Sequence, residues 1–142
     1  MRDRNEAQAV IVRGKGDARA FLIIRRRGEN GIVQMRLVKG GIDAGEKPEE
    51  AVLREVQEEV GLTKTKVTVE LGYYDYTVDD IRHCVTSFLV EASGGEEAGT
   101  PSLDEGDATI EEAIWVSAER ALELVTFDNE KRMMQKAIEA LK

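Results

Sequence analysis

The stretch Gly40 to Leu62, GGIDAGEKPEEAVLREVQEEVGL, constrains the fold more than any other part of the chain. Pro48 suits the first turn of a helix and Gly61 its stop, so the spacing predicts a helix over Pro48 to Val60. At ~100° per residue, Glu55, Glu58 and Glu59 fall within roughly 100° of one another. Leu53, Val56 and Val60 cluster on the opposite side and are expected to face a core. Three carboxylates at i, i+3 and i+4 repel one another by a few tenths of a kcal/mol per close pair in water. A cation between them reverses that sign, and hard divalent ions prefer such oxygen ligands. Arg54 lies at the edge of the acidic face, where its guanidinium can hold a carboxylate in a fixed orientation. Gly40 and Gly41 allow a sharp turn that brings backbone groups close to that face. Taken alone, the three acids also fit a plain Glu-rich amphipathic helix.

The remaining segments supply a sheet for this helix. Residues 7–13 and 19–27 read as strands joined by a turn at Gly14 to Asp17, and Ile32 to Val38 reads as a third. Lys66 to Tyr76, Arg82 to Ala92 and Thr109 to Val116 continue the β pattern, with a Gly- and Glu-rich loop over Ser93 to Asp107. Ser117 can cap a helix running to Leu124. Asp128 is expected to cap a last helix to Leu141, with Met134, Ala137, Ile138 and Leu141 on its packed face. Strands alternating with a few helices predict an α/β or α+β sandwich with a mixed sheet. At 142 residues, one domain over 1–142 is expected.

Composition then narrows the function. The longest apolar run, Ala20 to Ile24, is far short of the roughly 20 residues of a membrane span. The opening MRDRNEAQAV lacks a secretory apolar stretch, so a cytoplasmic location and no membrane partner are expected. One cysteine, Cys84, excludes an internal disulfide and a Cys-based metal cluster, and reads as a small buried hydrophobe. The net charge of -8 argues against a nucleic-acid binder. It also conceals an asymmetry. Residues 1–39 hold ten Lys/Arg against four Asp/Glu, whereas residues 91–112 hold eight acids and no base. Acidic clusters beside a basic segment suit a divalent cation next to an anionic substrate, and they equally suit a well-solvated surface.

The spacing within 40–62 separates the readings. The stretch matches G-x5-E-x7-R-E-U-x-E-E-x-G-U, with U aliphatic, at Gly40, Glu46, Arg54, Glu55, Val56, Glu58, Glu59, Gly61 and Leu62. A chance match at one start point is on the order of one in a billion at ordinary residue frequencies. This pattern is the Nudix box, and the chain resembles the Nudix hydrolase family. The resemblance implies an α/β/α sandwich with a mixed sheet, a loop–helix–loop box, and hydrolysis of a nucleoside diphosphate linked to X. It also implies Mg²⁺ or Mn²⁺ held by Glu55, Glu58 and Glu59 with the Gly40 carbonyl, while Glu46 and Arg54 brace the loop. The proton acceptor stays open between Glu55, Glu59 and an acid after the box, where Glu111 and Glu112 stand; Glu112 is included among the candidate catalytic residues.

Leu37-Val38-Lys39-Gly40-Gly41 and Trp115-Val116-Ser117 … Leu124-Val125-Thr126-Phe127 resemble segments of dinucleoside polyphosphate hydrolases. Met35 and Val38 depart from that pattern, standing where those relatives often have Trp and Pro. In this reading Lys39 contacts phosphate, with Arg36 and then Arg25 to Arg27 as further candidates. Tyr73, Tyr74 and Tyr76 can supply a ring to stack on a base, with Tyr76 the candidate taken; alternation puts Tyr74 and Tyr76 on one sheet face, and His83 is read as a packed or hydrogen-bonded residue. The expected substrate is a small nucleotide such as diadenosine tetraphosphate, acted on by a monomer or homodimer. A (deoxy)nucleoside triphosphate or ADP-ribose pyrophosphatase is the alternative, and a silent nucleotide-binding Nudix domain is the alternative of another class.

Overall fold

The computed structural model describes residues 2–28, 30–93, 104–105 and 108–142. Among these residues eight strands form one mixed sheet. They are β1 (Arg2–Arg13), β2 (Ala20–Arg27), β3 (Val33–Arg36), β4 (Val38–Gly41), β5 (Thr65–Val78), β6 (Ile81–Ala92), β7 (Asp104–Glu105) and β8 (Ala108–Val116). The order is β5-β6-β1-β2-β8-β7, with β3 on β2 and β4 on β1. Among the described strands only β1 and β6 run parallel; the other pairs are antiparallel. The expected loop over Ser93 to Asp107 falls almost wholly outside the described residues.

Helix α1 (Pro48–Val60) covers one face of the sheet, and α2 (Ala118–Leu124) with α3 (Asp128–Ala140) covers the other. The alternation of β1 assigns Ala7, Ala9 and Ile11 to the α1 side and Val10 and Val12 to the α3 side. The result is the α/β/α sandwich expected from the pattern of elements. Among the described residues no helix is long and apolar enough to cross a membrane.

Local chemistry explains the boundaries. Gly61 adopts the left-handed conformation (φ 74°) and returns its N–H to the Gln57 carbonyl, closing α1. Ser117 caps α2 by accepting from the Arg120 N–H at 3.1 Å.

Three expectations need correction. The single strand expected over Ile32 to Val38 is two, because the chain leaves β2 and joins β1 at Leu37. The freed Leu37 N–H is taken up by the Glu130 carboxylate at 3.0 Å. Asp128 is the first residue of α3, not its cap. Thr126 is bonded twice to Met35, through its hydroxyl at 2.8 Å and its N–H at 3.0 Å, which leaves Phe127 extended in the cap position. Cys84 is partly exposed, because it lies along β6 beyond the Phe88–Val90 segment that packs with α1.

Candidate active site

Helix α1 faces the loop that follows β4, and Arg54 ties the two together. Its Nε and Nη2 donate to Glu46 at 2.8 and 2.9 Å, and Nη2 also donates to the Gly41 carbonyl at 2.8 Å. Its Nη1 donates to Glu55 at 2.8 Å and to Glu58 at 3.2 Å. Glu46 accepts in addition from the Asp43 N–H. These bonds from Arg54 and Asp43 hold the Glu46 carboxyl down to about 2.

The three box acids differ in environment. Glu58 keeps 45% of its side-chain exposure, while Glu55 and Glu59 are buried. The wheel reading, which set all three acids on a polar face away from the core, is therefore too simple. Glu59 is enclosed, and Arg26 Nη1 lies 4.0 Å from its Oε1. Glu55 packs on the backbone of Gly40 so closely that a Cβ there would fall 2.0 Å from its Cδ. Burial pushes the Glu55 carboxyl up, against the pull of Arg54 and of a hydrogen bond with Glu59. Two buried carboxyls in contact, one raised by desolvation, form a site that prefers added positive charge.

The residues present fit a divalent cation. The donor set is hard oxygen, the Glu55 Oε2 is buried and receives no hydrogen bond from an N–H group, and Gly40 leaves its carboxylate room at the loop. Among the described residues no three His, Cys, Asp or Glu side chains converge as a finished cation cage, since Arg54 and Arg26 hold the acids in their present orientations.

The other sequence candidates gather on the opposite side of β4. Lys39 Nζ bonds the Tyr76 hydroxyl and the Glu6 carboxylate and lies 4.7 Å from the Tyr76 ring centre. Tyr76 stacks on His83, with centroids 4.7 Å apart. Tyr74 is core, its hydroxyl donating to Gln8 at 3.2 Å. Arg36 is clamped by the buried Glu130 at 2.9–3.2 Å and lies 4.7 Å over the ring of Phe127, which is 40% exposed.

The acids of β8 do not join the box. Glu111 accepts from Arg25 and Arg27 at 3.1 and 2.7 Å, which holds its carboxyl below the ordinary range. Glu112 is exposed and pairs in register with Arg25, on the face away from α1.

Three participants escaped the sequence reading, Glu6, Gln8 and Glu130, and Arg26, expected as a phosphate contact, lies beside Glu59 instead. Alternation from Ile24, which faces α1, accounts for that placement of Arg26. For Glu6 and Gln8 the signal was a polar pair at inward positions of a strand covered on both faces.

A family model described as the NUDIX domain matches residues 3–137. The chain belongs to that family. This Nudix chain is 30% identical over 132 residues to MutT4 of Mycobacterium tuberculosis, covering 90% of this chain and 50% of that protein. It thus spans about half the length of that relative. An RNA pyrophosphohydrolase of Vibrio cholerae is 64% identical over 31 residues, 22% of this chain and 18% of that one. A crystal structure of a C. elegans Ap4A hydrolase binary complex superposes with a TM-score of 0.79 at 18% identity, covering 97% of each chain.

Proposed function

We propose that this Nudix protein is a metal-dependent pyrophosphohydrolase acting on a dinucleoside polyphosphate such as diadenosine tetraphosphate. The observation that carries the chemistry is the buried Glu55–Glu59 pair against Gly40, steered by Arg54. Glu55, Glu58 and Glu59 with the Gly40 carbonyl would hold Mg²⁺ or Mn²⁺. When bound, the ion neutralises pyrophosphate oxygens and lowers the pKa of an attacking water. Arg54 fixes two of the acids through one guanidinium group, so their carboxylates are orientated before substrate arrives. Either Glu55 or Glu59 accepts the proton of the attacking water. Glu112, which faces away from α1, is the weaker candidate.

Lys39, Arg36 and Tyr76 are the proposed substrate contacts. A phosphate chain needs point charges and a base needs a ring, and these three residues offer both along one side of β4 and β3. The fold likeness to an Ap4A hydrolase supports the dinucleotide, and the sequence likeness to MutT4 favours a nucleoside triphosphate as the second reading. A product-resolved screen with Mg²⁺ and Mn²⁺ separates them. ATP plus AMP from diadenosine tetraphosphate is expected; NMP plus pyrophosphate from triphosphates, with the dinucleotide untouched, overturns the substrate. Full turnover in chelator-treated, metal-free buffer would falsify the metal assignment.

A further inference from the structure

Across β4 from the box lies a buried carboxylate that the reaction above does not use. Glu6 is 4% exposed, and its neighbours in register are Gly41 on β4 and Val85 on β6. Three basic side chains from three strands converge on it. Arg4 Nε donates to Oε2 at 3.1 Å, Lys39 Nζ donates to Oε1 at 3.4 Å, and His83 Nδ1 lies 2.9 Å from the same Oε1. Burial alone would raise the Glu6 carboxyl, yet Lys39, His83 and Arg4 together bring it below the ordinary range. The carboxylate is therefore ionised, and it is the shared anchor of the cluster.

The chain of contacts continues outward. His83 stacks face to face with Tyr76, the planes inclined by 4°, and the Tyr76 hydroxyl bonds Lys39. Lys39 is a flexible four-carbon stem with only 9% side-chain exposure. Left without that carboxylate, the ammonium loses the partner that fixes its position and swings away, which weakens a phosphate contact. The His83 ring beneath Tyr76 is held at one nitrogen by Glu6, so the tilt of the tyrosine depends on the same oxygen.

We propose that Glu6 is a positioning residue for substrate, fixing the Lys39 ammonium and, through His83, the Tyr76 ring. This rests on the reading of Lys39 and Tyr76 as substrate contacts. Removing the Glu6 charge is expected to weaken substrate binding while the carboxylate chemistry on the far face of β4 continues.

The test is Glu6→Gln, assayed with diadenosine tetraphosphate and in parallel with ATP at saturating Mg²⁺, beside Lys39→Ala and the double variant. Glu6→Gln should raise KM at least about tenfold and leave kcat within about twofold. In the Lys39→Ala background it should add clearly less than about tenfold, the remainder being the share that passes through His83 to Tyr76. His83 is the only histidine, so the ¹⁵N signal of its Nδ1 is unambiguous, and it should move in Glu6→Gln and stay in Lys39→Ala. If Glu6→Gln unfolds by circular dichroism, Glu6→Asp, which withdraws the charge by one methylene, should give the same KM rise. A KM rise in Lys39→Ala with none in Glu6→Gln or Glu6→Asp overturns the positioning role and leaves the substrate reading standing. An unchanged KM in Lys39→Ala, or no turnover of either nucleotide by the unaltered protein, overturns both.

Discussion

Gly40→Ala should separate folding from chemistry in this protein. The added Cβ would sit 2.0 Å from Glu55 Cδ and 2.2 and 2.4 Å from its two oxygens. Ordinary carbon contacts begin near 3.5 Å, so the carboxylate must retreat by roughly 1.5 Å. The atoms displaced are the far end of a flexible side chain, so the backbone need not open. What is lost is the 2.8 Å bond from Arg54 Nη1. A charged hydrogen bond in a buried site is worth about 1.5–3 kcal/mol, and Glu55 can limit the damage by taking a proton. We expect a loss of about 2 kcal/mol, a fall in Tm of about 6 °C for a chain of this size. The rate should fall at least ~100-fold, since the displaced carboxylate is a proposed cation ligand. Gly41→Ala is the control, because its Cβ would come only 3.3 Å from the movable Arg4 Nη2. It should keep Tm within about 2 °C and retain most of the activity. Calorimetric unfolding, Mn²⁺ binding and nucleotide turnover are the measurements. Gly40→Ala with near-normal Mn²⁺ affinity and turnover would refute the reasoning.

Glu58→Gln and Glu59→Gln should each lower kcat at least ~100-fold while metal-free stability stays within about 1 kcal/mol or rises. Glu59→Gln gains most, because its amide can donate to Glu55; two variants with normal kcat would sink the proposed reaction. Glu46→Gln should flatten the acid limb of the stability profile. With its folded pKa held to about 2 against an ordinary 4.5, Glu46 contributes stability that is whole above pH 4.5 and lost as pH falls toward 2. Unfolding midpoints measured across that window should therefore vary less in the variant than in the unaltered protein, and identical slopes would discount the Arg54 pairing.

Helix α1 was legible to the residue because its punctuation is local: Pro48 opens it and Gly61 closes it whatever surrounds them. The box acids were legible for the same reason, as a spacing within one helix. Their burial was not. A wheel sends charge outward, whereas the Gly40 backbone roofs Glu55 and Arg26, far along the chain on β2, reaches Glu59. The break at Leu37 and the start of α3 depend on Glu130 and Met35, partners more than ninety residues distant, and no local pattern announces them. Glu6 and Gln8 did leave a trace, as polar residues at inward positions of a strand. Their partners could be known only from the fold.

Strand β4 has four residues, and among the described strands it pairs with β1 alone. Val38 and Gly40 turn toward α1, while Lys39 turns toward Glu6 and Tyr76. If Lys39 is the substrate contact proposed above, selection acting on nucleotide preference can therefore redraw position 39 without disturbing the proposed hydrolytic side. Length is another matter. One residue inserted or deleted before Lys39 would exchange the two sides wholesale, thrusting an ammonium at Glu55 and a glycine at Tyr76. Lys39 and Gly41 should tolerate substitution with little loss of stability, Val38 and Gly40 should not, and no position should tolerate an insertion or deletion, so a deep mutational scan that includes single-codon insertions would find its sharpest contrast between the two kinds of change at Lys39 and Gly41.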